Sequence, residues 1–156
     1  MSVEIERKFL VKGDYKKFTT SSYKISQGFL SSDPERTVRV RVRDTKGFIT
    51  VKGISNNSGT TRFEWEKEIS LPDAENLLAI CEPSIITKIR HIVPTTNNLF
   101  FEVDEFMDKN DGLVIAEIEL PDENFIFEKP IWLGKEVTGE IKYFNSVLSK
   151  NPFSNW

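Results

Sequence analysis

Ionised side chains recur at every second position through most of this 156-residue chain. The first such run is Glu4-Ile5-Glu6-Arg7-Lys8, and two later ones are Val38–Arg43 and Arg62–Glu68. Residues two apart on an extended strand point to the same side of a sheet, so each run predicts a β-strand with one charged face. Several of these strands carry apolar residues on the opposite face. The pattern therefore predicts an antiparallel sheet with one strongly charged side.

A single charged strand face usually lies in water. In this chain the alternation of ionised residues recurs on too many strands to be explained by solvent exposure alone. The charges also sort by strand into basic pairs and acidic pairs. If the sheet closes with these faces inward, it forms a tunnel lined by both signs of charge. Carboxylates there would gather divalent cations, and the basic side chains would hold a polyanion.

Alternation, β-branched residues and turn residues place eight strands along the chain, and eight strands close a small barrel. Short links such as Lys46-Gly47 and Asn110-Asp111-Gly112 indicate antiparallel neighbours. We predict a mainly β (α+β) fold, an eight-stranded antiparallel closed β-barrel with a few flanking helices, as one domain over residues 1–156. The predicted strands are residues 2–11, 23–31, 36–44, 47–54, 60–70, 85–93, 98–107 and 112–121.

Helices are expected in three of the remaining segments. A short one is predicted at 14–19, and a second begins at Pro72 and ends before Pro83. A third would be capped by Thr138 and run to about Lys150, with an apolar stripe that packs against the barrel.

Charge and composition exclude several kinds of function. Formal net charge is −3, so the chain lacks the broad cationic surface that nucleic-acid binding needs. No apolar run approaches the roughly 20 residues that span a bilayer, and we expect a cytoplasmic protein without a membrane partner. The single His91 argues against a histidine metal cluster or a Ser-His triad, which leaves hard oxygen ligands suited to magnesium, manganese or calcium. Cys81, the one cysteine, is expected to pack in the core.

Several segments, in order along nearly the whole chain, resemble the CYTH domain or triphosphate tunnel metalloenzyme superfamily, in its bacterial branch. The recurrence of these motifs in sequence order is more specific than any one of them. They are Glu4-Ile5-Glu6-Arg7-Lys8, Gln27-Gly28-Phe29-Leu30, Val38-Arg39-Val40-Arg41, Val51-Lys52, Arg62-Phe63-Glu64-Trp65-Glu66, Lys88-Ile89-Arg90, Phe101-Glu102-Val103-Asp104, Ala116-Glu117-Ile118-Glu119 and Trp132-Leu133-Gly134-Lys135-Glu136-Val137-Thr138.

The resemblance implies an enzyme in which an eight-stranded tunnel binds a triphosphate group and one or two divalent metals, usually Mg²⁺ or Mn²⁺. Members hydrolyse inorganic tripolyphosphate, thiamine triphosphate or RNA 5′-triphosphate ends, and some cyclise ATP. At the matched positions, a polyanion requires several fixed cations, and clustered carboxylates require counter-ions. The predicted phosphate-binding residues are Lys8, Arg39, Arg41, Lys52, Arg62, Lys88 and Arg90. The predicted metal ligands are Glu4, Glu6, Glu64, Glu66, Asp104, Glu117 and Glu119.

Within these sets, Glu4 and Glu6 are assigned to the catalytic metal, with Glu119 as third ligand. Glu64, Glu66, Asp104 and Glu117 are assigned to a second metal or to orienting the basic residues. Lys8 is the candidate catalytic residue that helps to deprotonate the attacking water, and a simple phosphate clamp is the other reading.

One departure from the family pattern concerns Phe29, where bacterial relatives commonly carry Tyr. If that hydroxyl assists Lys8, its absence puts efficient hydrolysis in doubt and leaves triphosphate binding intact. The leading prediction is a metal-dependent triphosphatase acting on tripolyphosphate. An adenylate cyclase of class IV type, a thiamine triphosphatase and a non-catalytic triphosphate or polyphosphate binder stay open, with ATP or thiamine triphosphate as other small-molecule partners and a homodimer as a further option.

Overall fold

The computed structural model describes residues 3–156, which form one antiparallel sheet of nine strands with two α-helices and several single 3₁₀ turns. The helices are α1, Leu71–Ala79, and α2, Asn145–Leu148. The strands are β1 Val3–Val11, β2 Ser21–Ser31, β3 Arg36–Arg43, β4 Lys46–Ser55, β5 Thr61–Ile69, β6 Ile86–Pro94, β7 Phe100–Phe106, β8 Val114–Glu119 and β9 Leu133–Glu136.

The first eight strands close into a barrel, as predicted. Their order is β5-β4-β3-β2-β6-β7-β8-β1, and β1 returns to pair with β5 through Val3↔Phe63 and Ile5↔Thr61. The closing contact uses only the first part of β1. The second part of β1 pairs on the same edge with β9, which the sequence analysis did not identify as a strand.

The main apolar core lies outside the barrel. Outward-facing residues of β1, β6, β7 and β8, such as Phe9, Phe101 and Ile118, are almost fully buried. The segment after β8 covers them, and Trp132 packs edge to face on Phe101 with ring centroids 5.1 Å apart. Buried aromatic rings contribute much of the apolar area in such a core. Because this core stabilises the sheet from outside, the inner face is free to carry charge.

Helix α1 covers the outer side of β2, β3 and β4. The side chain of Ser70 caps it by accepting a hydrogen bond from the Asp73 amide at 3.2 Å, and Pro72 lies in its first turn, as predicted. Gly47 permits the close approach of this helix, because a Cβ there would lie 2.4 Å from the Cβ of Ala74.

The predicted helix over 138–150 is wrong. The segment forms a 3₁₀ turn at Ile141–Tyr143 and the four-residue α2. Thr138 does not cap a helix, because its hydroxyl accepts the Lys8 amide at 2.9 Å and donates to Glu136 at 2.6 Å, which keeps it on the sheet edge. The helix predicted at 14–19 is a single 3₁₀ turn, Lys16–Phe18.

One end of the barrel is filled by this C-terminal segment. Ile86, Phe106 and Ile115 share the inward parity of the charged residues on β6, β7 and β8, and they pack with Tyr143 and Leu148 in a second apolar cluster. The charged part of the tunnel therefore lies against an apolar plug on this side.

Candidate active site

The interior of the barrel contains a charged cavity of about 240 Å³. Every predicted phosphate-binding residue and every predicted metal ligand except Asp104 lines it. The alternation that the sequence shows explains this convergence, because the barrel closes with all the ionised faces inward. The two signs of charge are unevenly distributed around the wall.

The most basic part of the wall is formed by β3. The nearest carboxylate to both Arg39 and Arg41 is Glu66, at 3.7 Å and 3.5 Å from their Nη2 atoms. The Nε atoms of both arginines are buried and have no hydrogen-bond partner within residues 3–156. Burial, with the charges of Arg39 and Arg90, lowers the pKa of Arg41 to about 10, so the guanidinium is still protonated at neutral pH. One carboxylate between two buried arginines leaves positive charge available to an anion.

Lys52 and Arg62 continue the basic wall on β4 and β5. The ammonium of Lys52 lies 2.9 Å and 3.0 Å from the two oxygens of Glu4 and 3.4 Å from Glu64. Burial disfavours the charged form of Lys52, but Glu4 and Glu6 outweigh burial and raise its pKa. The Nε of Arg62 donates to the carbonyl of Gly53 at 3.1 Å.

Asp104 lies behind the cavity surface in the structure. It is 1% exposed, and its oxygens accept from Arg90 Nε at 2.7 Å, Arg90 Nη2 at 2.9 Å and Lys88 Nζ at 2.7 Å. Burial would raise the pKa of Asp104, but Arg90 and Lys88 hold it well below its usual range. Burial lowers the pKa of Lys88 to about 8, and Asp104 offsets only part of that effect. This geometry favours the orienting role that the sequence analysis gave as an alternative to metal ligation.

The acidic part of the wall is formed by β1 and β8. Register pairs Glu6 with Glu119 and Lys8 with Glu117, so three carboxylates come together. Burial, followed by the charges of Glu117 and Glu4, raises the pKa of Glu6 well above its usual value. Burial opposes ionisation of Glu117, but Lys8 and a hydrogen bond with Glu6 lower its pKa to about 2. The pKa values of these two carboxyls are thus shifted in opposite directions, so a proton is held more readily by Glu6 than by Glu117.

Glu4 also holds a proton more tightly than an ordinary carboxyl. Burial raises its pKa to about 7, Lys52 offsets part of this, and the neighbouring Glu64 adds to it. Burial, reinforced by the neighbouring carboxylates, therefore makes both Glu4 and Glu6 harder to ionise than ordinary carboxyls. Hard cations bind such oxygen donors, so this corner fits a divalent metal by its chemistry. Over residues 3–156, no three acidic, imidazole or thiol groups already surround a single point.

Lys8 lies at the plugged side of the cavity. It is 8% exposed, its ammonium lies 3.4 Å from the carbonyl oxygen of Tyr143, and it stands 5.3 Å from the ring centroid of Phe144. Phe29 lines the same cavity and is 4% exposed, opposite Arg39 in the β2–β3 register. Position 29, which the family resemblance singled out for its missing hydroxyl, therefore faces the site.

Some lining residues were not predicted. Glu102 faces inward and binds Arg90 Nη1 at 2.9 Å, and its alternation with Asp104 was a usable signal. Thr50, fully buried, donates to Glu66 at 2.8 Å. Phe144, Asn145 and Ser146 belong to the segment that was predicted to pack as a helix. The helical spacing placed Phe144 in its apolar stripe, and no charge or motif marked any of the three as a cavity residue. His91 lies outside the cavity, where its ring contacts Ser22 at 2.8 Å and Glu105 at 3.3 Å.

None of the helices in residues 3–156 has the length and apolar character needed to cross a bilayer.

Comparison with known proteins agrees with the resemblance seen in the motifs. Residues 2–146 match the CYTH domain family. An inorganic triphosphatase of Acetivibrio thermocellus is 47% identical over 157 residues, covering 100% of this chain and 99% of that protein. One from Nitrosomonas europaea is 30% identical over 149 residues, covering 94% and 96%. A crystal structure of an inorganic triphosphatase superposes with a TM-score of 0.65 at 29% identity, over 93% of this chain and 96% of that chain. The chain belongs to the CYTH domain family.

Proposed function

We propose that this protein hydrolyses inorganic tripolyphosphate to pyrophosphate and orthophosphate in a reaction that needs a divalent metal. The observation that carries the proposal is the charge distribution of the cavity. Buried arginines whose Nε donors have no partner among residues 3–156 share its lining with a cluster of carboxyls on β1 and β8. Full-length identity of 47% to an inorganic triphosphatase supports the same substrate.

Metal dependence is general among CYTH triphosphatases. We propose Mg²⁺ or Mn²⁺ as the metal, held by Glu4, Glu6 and Glu119 with Glu117 beside them, because all the available donors are oxygens. When bound, such an ion neutralises phosphate charge and makes a coordinated water more acidic.

The basic wall would bind the substrate. Arg39 and Arg41 present planar donors to phosphate oxygens, while Lys52 and Arg62 supply further positive charge from β4 and β5. Water attacks the terminal phosphorus in line, the new P–O bond forms as the bond to the bridging oxygen breaks, and pyrophosphate leaves. The fixed cations stabilise the charge that develops on the transferring and leaving groups.

Lys88 and Arg90 line the cavity beside this basic wall, with Asp104 behind them. Both are tied to Asp104, and Arg90 is also tied to Glu102, so the two side chains are held in one geometry. Pre-organised charges of this kind need little rearrangement during the reaction. Lys8 is proposed to contact the substrate or the attacking water at the plugged side. A homodimer stays a prediction.

The test is phosphate release from tripolyphosphate, ATP and thiamine triphosphate with Mg²⁺, with Mn²⁺ and with a chelator. We expect metal-dependent release that is fastest with tripolyphosphate. Glu6→Gln should abolish most of it, whereas the matched control Glu105→Gln should not, because Glu105 contacts His91 and Lys16 outside the cavity.

Two results would contradict the proposal. Equal release by the Glu6→Gln protein would trace the activity to a contaminant or to another site. Conversion of ATP to cyclic AMP without release of phosphate from tripolyphosphate would favour the cyclase reading instead.

A further inference from the structure

The plugged side of the cavity ends in three residues of the C-terminal segment, Phe144, Asn145 and Ser146, which are called the end wall here. Asn145 carries the polar amide of this wall. Its Oδ1 accepts a hydrogen bond from Lys88 Nζ at 3.0 Å and another from Gln27 Nε2 at 3.0 Å. Both donors are buried, Lys88 at 1% and Gln27 at 0% exposure.

These two contacts determine which way the amide points. An ammonium can only donate hydrogen bonds, so the group of Asn145 that faces Lys88 must be its oxygen. The Nδ2 group is then directed away from Lys88. In the chain from Val3 onward Nδ2 has no hydrogen-bond partner, and the residue is half-buried on the cavity surface. Two N–H donors are therefore left to an acceptor in the cavity.

The proposed triphosphate ligand supplies a suitable acceptor for the Nδ2 group of Asn145. A phosphoryl group offers oxygens that accept hydrogen bonds from neutral amides as well as from cations. Lys8 reaches the same end wall through Tyr143 and Phe144, so a phosphoryl group beside Asn145 would also have a cation within the same part of the cavity.

We propose that Asn145 is a substrate-binding residue, whose Nδ2 donates a hydrogen bond to the innermost phosphoryl group of the bound triphosphate. The inference rests on the proposed function and deepens it by assigning the contact at the end wall. Lys88 and Gln27 are positioning residues for Asn145 in this arrangement.

Asn145→Asp separates this role from a merely structural one. The aspartate keeps an oxygen for Lys88 and Gln27, and it adds an ion pair with Lys88, but it replaces the N–H donors by a second oxygen. Asn145→Ala removes both the oxygen and the donors. If Asn145 only supports Lys88, the aspartate protein should be the better of the two in both stability and substrate binding.

We expect the ranking of the two variants by stability to be the reverse of their ranking by substrate binding. The melting temperature of Asn145→Asp should equal or exceed that of Asn145→Ala. The KM for tripolyphosphate should rise about tenfold or more in Asn145→Ala, as for loss of a hydrogen bond to a charged group, and further in Asn145→Asp. Ser146→Asp is the charge control, since it places a carboxylate in the same wall, and its KM should rise less than that of Asn145→Asp.

Three results would overturn the inference: a KM for Asn145→Asp at or below that of Asn145→Ala, a KM unchanged in both, or an equal rise in Ser146→Asp. Calorimetric titration of tripolyphosphate in the same variants with a chelator measures the contact without turnover. A wild-type protein that binds tripolyphosphate but does not hydrolyse it would refute the proposed function, and the order of affinities would still decide the role of Asn145.

Discussion

Asp104→Asn should destabilise the protein strongly, because it removes the carboxylate that lies between two buried cations. Lys88 and Arg90 would stay in the barrel wall with only an amide oxygen to share. Removing one partner from a buried ion pair typically costs about 3–5 kcal/mol of unfolding free energy. In a domain of this size each kcal/mol lowers the melting temperature by about 2–4 °C, so a decrease of roughly 6–20 °C is expected.

Urea unfolding with a chelator present, followed by tryptophan fluorescence, measures this loss without contribution from bound metal. Glu102→Gln is the matched control. Among residues 3–156 the ion pair of the Glu102 carboxylate is with Arg90 alone, and the side chain is partly exposed, so its removal should cost about 1 kcal/mol or less. The pKa of Asp104 is depressed in the folded state, so its contribution is present above the ordinary aspartate pKa of about 3.9 and is lost as the pH falls below it. A loss for Asp104→Asn no larger than that for Glu102→Gln would refute this reasoning.

Three further predictions concern the cavity. Glu6→Gln should raise the metal concentration needed for half-maximal activity without lowering the free energy of unfolding, since an amide can still hydrogen-bond to Glu117; an unchanged metal requirement in a metal titration would remove Glu6 from the ligand set. Arg41→Ala should raise the KM for tripolyphosphate by about 10- to 100-fold. Arg43 is on the same strand but outside the cavity lining, so Arg43→Ala should change the KM little. Equal effects of the two substitutions would contradict a specific contact between Arg41 and the substrate. Metal affinity measured by calorimetry should increase from pH 5 to pH 7, by up to about tenfold per pH unit for each proton displaced. The reason is that Glu4, with a pKa of about 7, and Glu6, whose pKa is also raised, must lose protons to bind metal. An affinity that does not change with pH would contradict this.

Period-two alternation, together with the turn residues and the family resemblance, predicted the barrel and nearly all the ionised residues that line its cavity. The backbone of a strand sends alternate side chains to opposite faces, so Glu4, Glu6 and Lys8 had to share a side wherever the strand lay. The short turns between successive strands made them antiparallel neighbours, and closure then brought all the charged faces together.

Contacts between residues distant in the chain were decided only by the tertiary structure. Glu102 and Asp104 have the same alternation, yet the β6–β7 register places Asp104 against Lys88 and Arg90 and leaves Glu102 on the cavity surface. Asn145 is uncharged and follows no period, and it reaches the cavity because Thr138 holds the preceding chain on the edge of β1 instead of starting a helix. Local sequence determines the direction of a side chain on its own strand, but the partner that neutralises it depends on strand register and on the path of the chain, which are properties of the whole fold.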